Sequence, residues 1–280
     1  LVVRMLRQVT ENTVYTFALL LAVYLVATAA GAALWQRAQE RRVRCLRAPL
    51  LLALAAACLA GGATLWLAPV AKAALLQVLG SSMGAALVAE ASLALLAFGL
   101  PAACMGALFS QLCTTARRAG IGLGHSLGAN TLGAALAPLV VGVGLLPALG
   151  AKAVLLLLVA GYLALLPWRG ATRLPGAALA VVVLATALAA PALRIVDLPE
   201  GSRLLAYLEG AQAAVSIVED AAGVSRLHID NRQQEGSSHT LLADGRQALL
   251  PLLLHPAPHR ALFLGLGTGI TASTAAGEAG

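Results

Sequence analysis

The chain has 280 residues, of which 60% are hydrophobic and 11% charged, with a mean hydropathy of +0.86. That length allows two domains, and the apolar excess excludes an ordinary soluble fold in favour of membrane spans. The net charge of +7 comes largely from arginines gathered in short loops between apolar runs, a positive-inside pattern rather than a nucleic-acid-binding face.

Residues 1–12, with Arg4, Arg7 and Glu11, read as a polar lead-in. The first span is expected from about Thr13 to Trp35, with Tyr15 and Trp35 placed as interfacial aromatics. The most basic loop follows, carrying Arg37, Arg41, Arg42, Arg44 and Arg47 against Glu40. A second span runs from Pro49 to about Leu67, and a weakly charged loop holds Lys72. The third runs from Met83 to Leu108, kinked at Gly99-Leu-Pro101. It contains Glu90, the one acid placed well inside a span. An intramembrane carboxylate is a functional candidate because its charge is costly there, with a bond to a neighbouring helix as the alternative.

Arg117 and Arg118 open the next loop. A fourth span is expected over Ser126–Leu149, with Asn130 able to bond a neighbouring helix or a ligand. Gly124, Gly128, Ala129 and Gly133 offer small-residue faces for close packing. A fifth span runs from Lys152 to Pro167, and a sixth from Leu174 to Ala192 after a turn with Arg169 and Arg173. Six spans put the basic loops on the cytoplasmic side and the soluble part on the other. The four cysteines, Cys45, Cys58, Cys104 and Cys113, show neither a CxxC pair nor metal-ligand spacing, so no metal is expected.

From Arg194 the chain becomes polar. Residues 213–219 and 224–230 read as two strands joined at Asp220-Ala-Ala-Gly223, and residues 231–239 as a polar loop. Residues 241–254 suit a helix interrupted at Pro251. Residues 261–264 then read as a strand leading into a turn with Gly265, Gly267 and Gly269 and the start of a helix. Such a turn lets backbone approach an adenosine-type cofactor, because glycine has no Cβ to clash and the helix aims its first amides at the ligand.

Several segments in order resemble the membrane-bound spermidine synthase-like family: Gly99-Leu-Pro101, Asn130-Thr-Leu-Gly133 with Leu146-Pro-Ala-Leu-Gly150, Gln234-Glu-Gly236, and Gly265-Leu-Gly-Thr-Gly269. The resemblance implies a multi-span α-helical membrane bundle over 1–193 and a small β segment over 194–240. The start of a Rossmann-like, class I methyltransferase-like domain would follow over 241–280. It also implies a multi-pass protein of a bacterial inner membrane. The activity implied is aminopropyl transfer from decarboxylated S-adenosylmethionine to a polyamine. Gln234, Gly265, Gly267, Thr268 and Gly269 would lie at the cofactor.

Two departures bear on specificity: Thr268 stands where the soluble enzymes carry an acid, and Asp244-Gly-Arg246 where they carry Tyr-His-Glu. The chain begins with Leu rather than Met, and both ends read as cut; the ribose-binding and catalytic acids are expected beyond Gly280, so residues 1–280 alone are expected to be inactive. The bilayer and a small polyamine are the expected partners, without nucleic acid. Alternatives are methyl transfer from S-adenosylmethionine, and transport or sensing of a cationic small molecule at Glu90 and Asn130.

Overall fold

The computed structural model describes residues 1–11, 13–40, 47–168 and 170–277. Arg41, Arg42, Arg44, Cys45 and Arg169 lie outside the described residues. The chain forms two compact units, Leu1–Ile195 and Val196–Gly280.

The first unit is helical because its Ala- and Leu-rich runs satisfy every internal backbone group within one segment, as a hydrocarbon solvent demands. Its helices are α1 (Val2–Arg7), α2 (Val14–Glu40), α3 (Arg47–Leu79), α4 (Met83–Ala94), α5 (Leu100–Arg118), α6 (Leu123–Ala137), α7 (Leu146–Ala164) and α8 (Arg173–Ala189). One π-helical turn, Leu95–Gly99, joins α4 to α5, and another, Pro138–Leu145, joins α6 to α7. Among the described residues, five continuous helical stretches are long and apolar enough to cross a membrane. The expected fourth and fifth spans form one of them, Leu123–Ala164, broken at Gly150, where φ is 75° and ψ 164°. Beyond that break, Lys152 donates to the carbonyl of Ala187 at 2.8 Å, placing a cation at the C-terminal end of α8.

The N-terminal segment corrects the sequence reading. Met5, Leu6, Gln8, Val9 and Thr10 are buried, and α1 packs against α3 within the bundle core. The arginines had concealed a segment whose other residues are uncharged. Lys72 is likewise not in a loop: α3 continues through Pro69 to Leu79, and Lys72 is buried. Trp35 also lies inside rather than at an interface.

Close packing comes from glycines other than those expected. A Cβ at Gly31 would lie 1.9 Å from the carbonyl oxygen of Ala103, and one at Gly106 would lie 2.1 Å from that of Thr28. Helices α2 and α5 therefore meet backbone to backbone. Gly124, Gly128 and Gly133 have nothing within 4 Å of a built Cβ, and α6 is exposed along its length, Asn130 included.

A π-helical turn, Leu95–Gly99, stands where a kink before Pro101 is expected. Proline cannot donate to the carbonyl four residues earlier, that of Ala97. That oxygen faces Gly61 of α3, whose missing Cβ would sit 2.0 Å from it. Glycine thus lets α3 approach the carbonyl that proline leaves without its helical donor.

The second unit opens with an antiparallel meander in the order β1-β2-β3-β4: β1 (Arg203–Glu209), β2 (Ala214–Glu219), β3 (Ser225–Ile229) and β4 (Gln233–Ser237). The β2–β3 turn is held by Asp220, whose Oδ1 accepts from the amides of Ala222 and Val224 at 2.9 and 3.0 Å. Its Oδ2 meets Arg226 Nη1 at 2.6 Å. The Val224 amide, followed by the Arg226 side chain, holds the Asp220 carboxyl below the ordinary Asp value.

Residues 231–239 are not a loop. Asp230 and Asn231 take φ of 49° and 61° in a two-residue turn closed by Arg232 N to Ile229 O at 3.2 Å, and β4 follows. Asp and Asn tolerate this left-handed backbone, so the dipeptide itself was the missed signal. Asp230 also accepts from the amide of Ala214 at 3.0 Å and is buried, which gives it a structural role.

After the sheet come α9 (Leu241–Leu254), continuous through Pro251, and α10 (Ile270–Gly277). Residues 261–264 form no strand, with Leu262 and Leu264 exposed. A strand exists only when paired, and no neighbour pairs with this segment among the described residues. Among the described residues the unit is a small antiparallel sheet with two helices, and they include no parallel sheet of the Rossmann kind.

Candidate functional site

The glycine turn is built as the residue spacing suggests. Gly265, Gly267 and Gly269 have φ of 99°, 52° and 78°, all on the left-handed side. Gly269 N–H donates to Leu266 O at 2.8 Å, and Ser273 N–H to Gly269 O at 2.9 Å begins α10. Two contacts seat this turn. A Cβ at Gly236 of β4 would be 2.7 Å from Thr268 Cγ2, and one at Gly245 of α9 would be 3.3 Å from Thr274 Oγ1. Glycines on both neighbours therefore let the turn and its helix press close.

Beside the turn lies an open cleft of about 1100 Å³, lined by Gly265, Leu266, Gly267 and Thr271, by Gln247 and Leu252 of α9, and by Glu235 of β4. His255, His259 and Arg260 enter it from the segment that precedes the turn. Ala257 N–H donates to His255 Nδ1 at 3.2 Å, so the other ring nitrogen is the one left to donate.

The expected cofactor residues divide. Gly265 and Gly267 line the cleft. Gly269 closes the turn. Thr268 points instead at Gly236, into a smaller apolar recess of about 240 Å³ with Ile217, Leu227 and Ile270. Gln234 is exposed and outside the cleft lining, whereas its neighbour Glu235 lines it.

No family model matches the chain, and no curated protein or solved structure matches it.

In the helical unit, the Glu90 carboxylate is buried and fully engaged. It accepts from Glu11 N–H at 2.7 Å and from the Thr16 hydroxyl at 2.8 Å, with Lys72 Nζ at 3.9 Å. Lys72 Nζ donates to Val9 O at 2.8 Å and Glu11 Oε1 at 2.6 Å. Two long helices thus send one acid and one base to grip the backbone between α1 and α2. The sequence placed Glu90 inside the bundle and named a neighbouring-helix bond as one option; it missed Lys72, whose surroundings looked like a loop. Asn130, the other membrane candidate, lies on α6, away from this cluster's residues in sequence and on an exposed face.

Proposed function

We propose that this chain belongs to a membrane-embedded transferase that holds an adenosyl-sulfonium cofactor in the cleft beside Gly265–Gly269. The observation that carries the reading is the turn itself: three left-handed glycines opening a helix, with two of them lining the cleft. The reaction implied by the family resemblance is aminopropyl transfer in a multi-pass protein of a bacterial inner membrane. A deprotonated polyamine nitrogen attacks the aminopropyl carbon bound to sulfur. The C–S bond breaks with its electron pair staying on sulfur, giving neutral methylthioadenosine, and the proton of the new ammonium passes to a base or to solvent.

A second reading, methyl transfer from S-adenosylmethionine, is favoured by one departure: Thr268 replaces the acid of the soluble aminopropyltransferases and faces Gly236 instead of the cleft. Transport of a cation at Glu90 has less support, because that carboxylate is already occupied by Glu11, Thr16 and Lys72.

The cofactor site is tested with Gly265→Val. Valine is strongly disfavoured at φ 99°. The expected result, by calorimetry in detergent, is loss of 5′-methylthioadenosine binding with helix content unchanged. Equal binding by the variant and the parent chain would refute the turn as the cofactor site.

A further inference from the structure

The register of β3 against β4 singles out one residue. Leu227 pairs with Gly236 and His228 with Gln234, so Glu235 has no partner of its own across the ladder. It is the extra residue of a β-bulge. A bulge bends its strand and re-aims a side chain, and bulges recur next to active sites for that reason. Here the re-aimed side chain is an acid, half-buried and lining the cleft. Its neighbours do other work: Gly236 receives Thr268, and Gln234 faces solvent. Gln233 Nε2 donates to Glu235 Oε1, which fixes one side of the carboxylate.

Glu235 is the one acid among the described residues that line this cleft. The lining groups His255, His259 and Arg260 arrive together from the loop before the turn, whereas Glu235 comes from the strand whose next residue meets Thr268. A ligand seated at the glycine turn is therefore offered a negative charge by β4.

We infer that Glu235 is the cation-recognition residue of this cleft, holding the positively charged arm of a ligand whose adenosine part lies at the glycine turn. The ligand class is an adenosyl compound bearing a sulfonium or a primary ammonium group. A carboxylate held by an amide donor suits that charge: an ammonium would give it a charge-assisted hydrogen bond, roughly twice as strong as a neutral one, and a sulfonium, which has no N–H or O–H, would meet it by Coulomb attraction alone. This inference rests on the cofactor reading above, and it deepens that reading by naming the group that distinguishes a charged cofactor from its neutral product.

The test compares two probes on the full chain in detergent: decarboxylated S-adenosylmethionine, which is cationic, and 5′-methylthioadenosine, which is neutral. Glu235→Gln is expected to weaken the cationic probe about ten-fold or more, the scale of one charge-assisted hydrogen bond. Binding of the neutral probe should stay within about two-fold, well under one such bond. Glu235→Asp should retain most of the cationic preference. Equal effects of Glu235→Gln on both probes, or no effect on either, would overturn the inference while leaving the cofactor site standing. Failure of the parent chain to bind either probe would overturn both.

Discussion

Replacing Lys72 with methionine is expected to destabilise the helical unit by about 3–5 kcal/mol, because it strands the Glu90 carboxylate in a buried site. Glu90 is 1% exposed, and Lys72 is its only cationic partner among the described ion pairs. Glu11, the other carboxylate at Lys72, has a side chain 52% exposed. Water can solvate that acid, so its pairing contributes less. The cost therefore falls on Glu90 rather than on the shorter Lys72–Glu11 contact.

Glu90→Gln should also destabilise, since Gln can accept one of the two hydrogen bonds but offers no charge to Lys72. The double variant Lys72→Met/Glu90→Gln should be more stable than Lys72→Met alone. Thermal unfolding in detergent, read as a double-mutant cycle, checks this. Additive losses would show that the two residues do not act together. Freed of its anchor, the segment 8–11 should also lose protection from hydrogen exchange before the rest of the bundle.

The second large effect is expected at Gly106. Alanine there would put its Cβ 2.1 Å from the Thr28 carbonyl, and both atoms belong to helix backbones that cannot step aside. Overpacking of this kind costs about 1–3 kcal/mol when neighbours can relax, and Gly106→Ala should reach or exceed the upper end. Gly128→Ala is the control. Nothing lies within 4 Å of its built Cβ, and alanine is the better helix former by up to about 1 kcal/mol. The melting temperature should fall for Gly106→Ala and hold or rise for Gly128→Ala. A fall of equal size in both would show that α2 and α5 do not approach as closely as described.

These two cases show what the sequence made legible. Composition and run length marked the helices, because a hydrocarbon solvent leaves few other ways to satisfy the backbone. Helix faces were not legible: Leu and Ala surround each span, so no polar stripe separates a packed face from a lipid-facing one. Gly106 and Gly128 look alike in the sequence, yet one touches a neighbouring backbone and the other touches nothing. Lys72 was misread because a charge near the end of an apolar run reads as the start of a loop.

In the second unit, the glycine turn was legible because its backbone demands a residue type. The placement of Glu235 in the cleft was not, since a bulge is a property of strand register and appears only once β3 and β4 are paired. The strand expected over 261–264 failed for the opposite reason. Its local pattern is right, but a strand is made by its partner.

The most direct measurement of the functional account uses the native protein in detergent. It is offered decarboxylated S-adenosylmethionine with putrescine, or S-adenosylmethionine with a mixed acceptor pool, and the sulfur-containing product is identified by mass spectrometry. Methylthioadenosine formed only when an amine acceptor is present is the result expected for aminopropyl transfer. S-adenosylhomocysteine would assign the cleft to methyl transfer, and neither product, from a protein that still binds the cofactor, would contradict the transferase account.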